Sequence, residues 1–267
     1  AARMSVARRR LGLTATPERS DGRHSDLTQL VGPVAYELAI SAVRGTSLAE
    51  YEVVRIPVHL SETEQQRYDL LSEQVQSYVY KCRQENPAFR WEDLCSSSAV
   101  SLEARHALTA FHARKSIENR AEEKLKTLED LFRLHAGERC IVFAGSNAMA
   151  RDVSLRFLIP CLLSHCGRKE RLEILEGFAN GDYPVIVANQ VLDEGIDVPA
   201  AKVGIVIGGL GSSRQARQRL GRILRRNGNQ TAVLYEVVCV DTKDEERSRS
   251  RRRHESFRGV RRTPGRS

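Results

Sequence analysis

The second half of the chain alternates short apolar runs with stretches of helical periodicity, and this alternation constrains the fold most strongly. Apolar strands connected by helices are buried on both faces, as in a parallel sheet. The pattern therefore predicts an α/β fold, with ligands at the carboxyl ends of the strands, after residues 189 and 209. The runs are CIVFAG (140–145), LIPCLLS (158–164), PVIVAN (184–189), VGIVIGG (203–209) and TAVLYEVV (231–238), with helices expected to about 157, over 168–179 and over 212–226.

A polar, helix-rich region over residues 61–135 precedes these runs. Residues 51–60 alternate and contain β-branched side chains, so they predict a strand. Ser61 and Glu64 have the spacing of a capping box, which predicts the start of a long helix. A second helical stretch is predicted over roughly 101–134, with its charged side chains on the exposed face. The region therefore predicts a helical insertion ahead of the sheet pattern.

The net charge of +8 is located at the C-terminus. Residues 247–267 contain nine arginines and one acidic residue, which leaves 33 basic and 33 acidic side chains in residues 1–246. The tail is predicted to be disordered. It either binds phosphate backbones through counterion release or acts as a solubilising end.

Cysteine spacing and hydropathy argue against several classes of protein. The six cysteines form no C-x-x-C pair, and Cys161, His165 and Cys166 lack a second ligand pair, so no metal site is predicted. Free thiols favour a reducing cytoplasm. No apolar run approaches the roughly 20 residues of a membrane span. The start at Ala1, without Met or a signal peptide, predicts an excised fragment.

The most specific pattern is Q-R-x-G-R-x-x-R over residues 218–225. On a helix, Arg222 and Arg225 are three residues apart and share a face. Two guanidinium groups there suit the charge that builds on γ-phosphate oxygens during transfer. Taken alone, such a helix is more often a basic surface helix with Leu220 and Ile223 in the core.

Four segments, in order along the chain, resemble motifs of superfamily 2 helicases. Longer stretches, LGLTATPERSDGRH among them, are similar to the archaeal and bacterial branch of XPB-type DNA helicases over residues 11 to about 240. The resemblance implies a RecA-like sheet. The four segments are Thr14-Ala15-Thr16 (motif III), residues 140–144 (motif IV), residues 191–199 (motif V) and residues 218–225 (motif VI).

The resemblance also implies a domain arrangement. Residues 1–32 would be the end of a first motor domain with motif III, and residues 33–246 a second RecA-like domain. Within it, 61–135 would be a thumb-like insertion that grips DNA, where Phe89 and Trp91 either stack on a base or anchor the core. The sequence has no G-x-x-x-x-G-K-[ST] and no D-E-x-H box ahead of motif III. ATP and Mg²⁺ would therefore be bound mainly by the missing first domain, and this chain alone should be inactive.

Specific roles at the ATP cleft follow from the resemblance alone. Arg222 and Arg225 would be arginine fingers, with Gln218 beside them near the attacking water. Gly195 and Asp197 would face the nucleotide. Asp193 would lie at the junction between ATP and DNA, and Arg219 would brace the inter-domain interface.

The resemblance assigns other residues to DNA and to coupling. These are Thr14 and Thr16, which would couple nucleotide state to strand binding; Arg19 and Asp21 of a strand-separating element; Gln190 at the ATP–DNA junction; and Gly145, Ser146 and Asn147, whose N–H groups would meet a strand phosphate. Ser20 replaces the usual acidic residue between Arg19 and Asp21, which places strand separation by this element in doubt. For Ser146 the other interpretation is a plain helix N-cap, and the two roles can coexist.

The function that the resemblance implies is that of an ATP-dependent DNA helicase or translocase in the prokaryotic cytoplasm. Its partners would be single-stranded or forked DNA, the first motor domain, and a repair nuclease or transcription factor, with no membrane. Two alternatives stay open: an RNA helicase or restriction-enzyme motor of the same superfamily, and a non-catalytic nucleic-acid-binding module that uses the arginine tail.

Overall fold

The computed structural model describes residues 10–12, 29–36, 51–163, 165–189, 199–208 and 232–252. Within these ranges six parallel strands form one sheet in the order β1-β6-β5-β2-β4-β3. The strands are β1 (Tyr51–Val58), β2 (Cys140–Phe143), β3 (Cys161–Leu162), β4 (Val185–Ala188), β5 (Val203–Val206) and β6 (Ala232–Cys239). The helices are α1 (Glu62–Glu85), α2 (Trp91–Ser97), α3 (Leu102–Arg120), α4 (Glu122–Leu134), α5 (Asn147–Phe157), α6 (Arg168–Asn180) and α7 (Lys243–Arg252).

Each face of the sheet has its own apolar core, which confirms the predicted α/β fold. Successive side chains of a strand point to opposite faces. In β2, Ile141 and Phe143 accordingly pack with Leu175 and Phe178 of α6. Cys140 and Val142 pack with α4 and α5 on the other face. All four residues of β2 are buried, and this burial on both faces explains why the strand is a continuous apolar run.

The order of the strands places a switch point between β2 and β5. From β2 the chain proceeds to β3 at one edge of the sheet, whereas from β5 it proceeds to β6 on the other side. Adjacent connections that lead in opposite directions open a crevice at the carboxyl ends of the two strands. The strand order therefore places the carboxyl ends of β2, β4 and β5 at the edge where a ligand is expected, and binding at this edge stays a prediction.

The helical region begins as predicted and is divided differently. Ser61 and Glu64 form the capping box of α1, with both reciprocal bonds present. The predicted helix over 101–134 is interrupted at Ala121, a fully buried residue with a non-helical backbone (φ −47°, ψ 130°). The amide of Glu122, which begins α4, donates to the Glu64 carboxylate at 3.2 Å. One carboxylate thus serves the N-termini of two helices, a long-range contact that helical periodicity does not reveal.

The two aromatic residues of this region have partners within the protein. The ring of Trp91 lies 4.3 Å from that of Phe111, centroid to centroid. Phe89 packs against the small cluster around Leu94. Both side chains therefore act as anchors between helices, although Trp91 keeps 37% of its surface exposed.

Two element boundaries were predicted wrongly. The run 158–164 forms only the two-residue strand β3, because Leu158 ends α5 in the left-handed conformation (φ 54°) and Pro160 has no N–H. The tail predicted from residue 247 begins too early, because α7 continues to Arg252. Arg247 pairs with Glu118, and the buried Ser248 donates to Glu236 at 2.9 Å. In the described part of the chain, no helix is long and apolar enough to cross a membrane.

Candidate functional site at the carboxyl edge of the sheet

Of the predicted site residues, the structure describes Gly145, Ser146 and Asn147, which follow β2 directly. Because all strands are parallel, these residues share one edge of the sheet with the ends of β4 and β5. The remaining predicted residues lie outside the described ranges: Thr14, Thr16, Arg19, Asp21, Gln190, Asp193, Gly195, Asp197, Gln218, Arg219, Arg222 and Arg225. Their roles stay predictions.

Ser146 is the N-cap of α5. Its extended backbone (φ −153°, ψ 159°) turns the chain from β2 into the helix, and its hydroxyl accepts from the Met149 amide at 3.2 Å. Ser146 is therefore a helix N-cap, as one of the two interpretations predicted, and its contact with a strand phosphate stays a prediction. The first turn of α5 contains no acidic side chain, so the positive end of the helix dipole is not neutralised within the turn. Asn147 is exposed, which leaves this turn accessible to an anion.

Asn189 joins the end of β4 to this turn. Its side chain is 6% exposed, and Nδ2 donates to Oδ1 of Asn147 at 2.9 Å. Its backbone amide donates at 3.2 Å to the carbonyl of Leu162, the last residue of β3. Asn189 therefore fixes the Asn147 side chain and ties three strand ends together. The sequence-based prediction named its neighbour Gln190 and missed Asn189. The sequence shows only a polar residue at the end of the run PVIVAN, and its burial and its partner appear in the structure alone.

Basic side chains extend from this turn towards β3. Arg151 lies four residues after Asn147, so the two share a face of α5. Its guanidinium donates to Nε2 of His165 at 2.9 Å, and both side chains are exposed. Arg168 and Lys169 then begin α6, where the dipole favours anions over cations. We call Ser146, Asn147, Asn189, Arg151 and His165 the open corner. Its donors and positive charge suit a phosphate backbone.

At the end of β5, the described residues Ile207 and Gly208 are in contact with buried polar side chains. The carbonyl of Ile207 accepts from Nζ of Lys124 at 3.0 Å, and that Nζ lies 2.6 Å from Oδ2 of Asp244. Gly208 follows, and a Cβ there would lie only 2.8 Å from Oδ1 of Asn119. A larger residue at position 208 would have to displace Asn119, so glycine permits the close approach.

A separate cavity lies at the carboxyl ends of β1 and β6. His59, Glu62, Asp69 and Asp241 contribute to its lining, so the cavity carries three carboxylates. Carboxylates repel phosphate oxygens. Compared with this cavity, the open corner is therefore better suited to a nucleic-acid backbone.

A family model for the helicase conserved C-terminal domain matches residues 123–227. The match begins in α4, spans β2 to β5, and continues through residues 209–227. It thus includes the open corner and the segments predicted to carry motifs V and VI.

Relatives with curated names match most of the chain. The DNA 3'-5' translocase XPB2 of Sulfurisphaera tokodaii is 40% identical over 91% of this chain and 55% of its own length. The DNA 3'-5' helicase XPB of Kineococcus radiotolerans is 31% identical over 92% of this chain and 38% of its own length. The chain therefore spans about half, or less, of the relatives it matches.

A solved structure supports the fold. The helicase domain of Hef from Pyrococcus furiosus is similar with a TM-score of 0.60 and 18% sequence identity, covering 90% of this chain and 66% of that one. At this identity the likeness concerns the fold alone, a RecA-like parallel sheet with flanking helices.

Proposed function

The chain belongs to the XPB-type superfamily 2 helicases, whose C-terminal half it matches, and from this premise we propose that it is the second motor domain of an ATP-dependent DNA translocase or helicase. The observation that carries the proposal is the 40% identity to a DNA 3'-5' translocase over 91% of the chain. The proposed domain covers residues 33–246, with 61–135 as its helical insertion, and residues 1–32 complete the first motor domain.

In this proposal Arg222 and Arg225 are the arginine fingers. They lie between β5 and β6 in the chain, and β5 ends at the switch point of the sheet, where ligands of such folds bind. Closure of the two motor domains would bring both guanidinium groups to the γ-phosphate oxygens, where their charge stabilises the transition state. Gln218 would orient the attacking water.

ATP would be shared between two motor domains. Gly195 and Asp197 would face the nucleotide, while Asp193 and Arg219 would line the cleft between the domains. The sequence contains no phosphate-cradling P-loop, and the described residues contain no group of three His, Cys, Asp or Glu side chains able to hold a metal ion. The first domain would therefore hold the triphosphate and Mg²⁺, and this chain alone would hydrolyse ATP negligibly.

The open corner would hold the tracked DNA strand. Its support is the accessible N-terminus of α5, the Asn147–Asn189 bond at 2.9 Å and the exposed guanidinium of Arg151. Amides of Gly145 to Asn147 would donate to one phosphate, and Arg151 would neutralise a neighbouring one. Such contacts grip the backbone without reading sequence, as a translocating motor requires.

Other residues would convert ATP turnover into movement and unwinding. Thr14 and Thr16 would transmit nucleotide state, Gln190 would link the ATP and DNA sites, and Arg19 and Asp21 would contribute to strand separation. The family suggests duplex opening in DNA repair or transcription, in the cytoplasm of a prokaryote, with a repair nuclease or transcription factor as partner.

The proposal is tested by ATP hydrolysis in a full-length protein that carries this chain behind a first motor domain. Forked DNA is expected to raise turnover several-fold, and RNA of the same sequence to leave it basal. Stimulation by RNA alone would instead identify an RNA motor. A non-catalytic binding module would be identified by two results together: neither DNA nor RNA raises ATP hydrolysis, and deletion of residues 253–267 abolishes DNA binding. The deletion begins at 253 because Arg247 and Ser248 are built into α7.

A further inference from the structure

Lys124 and Asp244 form an ion pair that the proposed mechanism does not use. Nζ of Lys124 lies 2.6 Å from Oδ2 of Asp244, and the side chains are 0% and 1% exposed. Removing two charges from water is unfavourable, and a well-packed apolar pair of similar volume is often at least as stable. The pair therefore requires an explanation other than stability.

The second contact of Lys124 suggests that explanation. Its Nζ also donates to the carbonyl of Ile207 at 3.0 Å, and the amide of Ile207 donates to Phe143 O at 3.1 Å. Both polar groups of Ile207 are thus held, one by β2 and one by α4. Ile207 lies directly after β5, where the chain departs towards Arg222 and Arg225.

Asp244 is held in turn by a buried network that extends to the helical region. Its Oδ2 accepts from the Cys239 amide at 3.3 Å, and its Oδ1 lies 3.5 Å from Arg247. Arg247 also pairs with Glu118, which accepts from the Tyr68 hydroxyl at 3.1 Å. The network therefore connects α1, α3, α4 and α7 to the ends of β5 and β6.

Two groups of this network, Tyr68 and Arg247, have a raised pKa. Burial, with Glu118 beside it, raises the pKa of Tyr68 to about 12, so its hydroxyl keeps the proton that it donates. Burial disfavours the charge of Arg247, but the carboxylates of Glu118 and Asp244 outweigh this and raise its pKa. Neither Tyr68 nor Arg247 therefore changes charge near neutral pH.

We propose that Lys124 is a positioning residue, whose hydrogen bond to the Ile207 carbonyl fixes the path by which the chain leaves β5 towards the arginine fingers. Asp244 holds the ammonium in place, and the network keeps that path in register with α1, α3 and α7. This inference rests on the proposed function of Arg222 and Arg225.

Two double variants of the full-length protein separate positioning from stability. K124M/D244N removes both charges and the donor to Ile207. K124Q/D244N removes both charges and keeps an N–H donor. We expect the two to unfold at similar urea concentrations, while K124M/D244N loses about ten- to a hundred-fold in kcat, the order that a misplacement of about 1 Å costs. Its KM for ATP should stay near that of the wild type, and K124Q/D244N should regain most of the kcat.

Further variants assign the outcome. Asp244→Asn alone keeps Lys124 as donor and offers it an amide oxygen in place of the carboxylate, so this variant should retain more of the wild-type kcat than K124M/D244N. Lys126→Met removes an exposed charge from the same helix and should change nothing. Equal kcat values in the two double variants, or a kcat in folded Asp244→Asn as low as that of K124M/D244N, would overturn the proposal. Arg222→Ala is measured in parallel. If that variant is fully active, the proposed function itself fails, whatever Lys124 does.

Discussion

The same edge of the sheet carries two corners with opposite designs. At the open corner, Asn189 is buried while Asn147 and Arg151 are exposed, so donors point to solvent. At the end of β5, which we call the closed corner, Lys124 and Asp244 bury complete charges against each other. Both corners follow apolar strands of the same length and type. The polar residues after a parallel strand therefore serve either to bind a ligand or to hold the main chain, and the strand alone does not reveal which.

The largest effect is expected from breaking the closed corner. Asp244→Ala leaves the Lys124 ammonium buried without its carboxylate, which should cost about 3–5 kcal/mol of unfolding free energy. Urea unfolding of this chain measures the loss. Glu246→Ala is the matched control, because Glu246 pairs with Lys243 at the surface of the same helix. That change should cost less than about 1 kcal/mol. If Asp244→Ala and Glu246→Ala lost the same unfolding free energy, the claim that Lys124 and Asp244 form a buried ion pair would be contradicted.

A second prediction concerns the close contact at Gly208. A Cβ there would approach Asn119 Oδ1 to 2.8 Å, so Gly208→Ala should destabilise the fold by about 1–3 kcal/mol, as overpacking does. Combining it with Asn119→Ala should relieve the clash. The unfolding free energies of the two single variants and the double variant form a cycle. Strict additivity would show that the two residues are not in contact.

A substitution at the open corner should lower the unfolding free energy less than one at the closed corner. It should, however, lower the affinity for DNA. Asn189→Ala removes one hydrogen bond to Asn147 and should cost about 1 kcal/mol. Because it also releases the Asn147 side chain, affinity of the full-length protein for single-stranded DNA should fall, as measured by fluorescence anisotropy at fixed salt. Asn180→Ala, an exposed asparagine at the end of α6, is the control. Unchanged affinity in Asn189→Ala would remove the open corner from the DNA path.

The smallest effect on stability is expected away from both corners, at a half-buried contact between two rings. There, Nε2 of His135 lies 2.8 Å from the hydroxyl oxygen of Tyr235. Burial lowers the pKa of His135 below its ordinary value of 6.5. The unfolded chain therefore binds the proton first as pH falls. This contribution to stability is complete above about pH 6.5 and declines below it. Urea midpoints at pH 7.5 and 5.5 measure the decline.

Two variants check this pH dependence. His135→Gln should reduce the decline in urea midpoint between pH 7.5 and 5.5, because the titrating ring is gone. His106→Gln removes an exposed histidine and should leave the decline as it is in the wild type. A decline that His135→Gln leaves unchanged would show that other groups cause it.

The elements were predictable where local pattern determines them. The apolar runs at 140, 184 and 203, and the capping box of Ser61 and Glu64, depend on neighbours in sequence. They appear in the structure within one to three residues of the prediction. The length of β3 was overestimated, because the apolar character of the run does not reveal the effect of Pro160 or the left-handed backbone of Leu158.

The contacts of the two corners were not predictable in the same way. Lys124 and Asp244 are 120 residues apart, and Asn147 and Asn189 are 42 apart. A single sequence shows each as an ordinary polar residue on a helix or after a strand. The start of the tail was likewise predicted too early. In the sequence, Arg247 is one of nine arginines after residue 246, and only the structure shows that it pairs with Glu118.

The most direct test of the account is DNA-stimulated ATP hydrolysis by the full-length protein with Arg222→Ala, beside Arg217→Ala as control. Arg217 lies one residue before the Q-R-x-G-R-x-x-R pattern. We predict that turnover falls by about 10³-fold or more in Arg222→Ala, as loss of an arginine finger does, and stays near wild type in Arg217→Ala. Full turnover in Arg222→Ala would contradict the assignment of this chain as the domain that supplies the arginine finger.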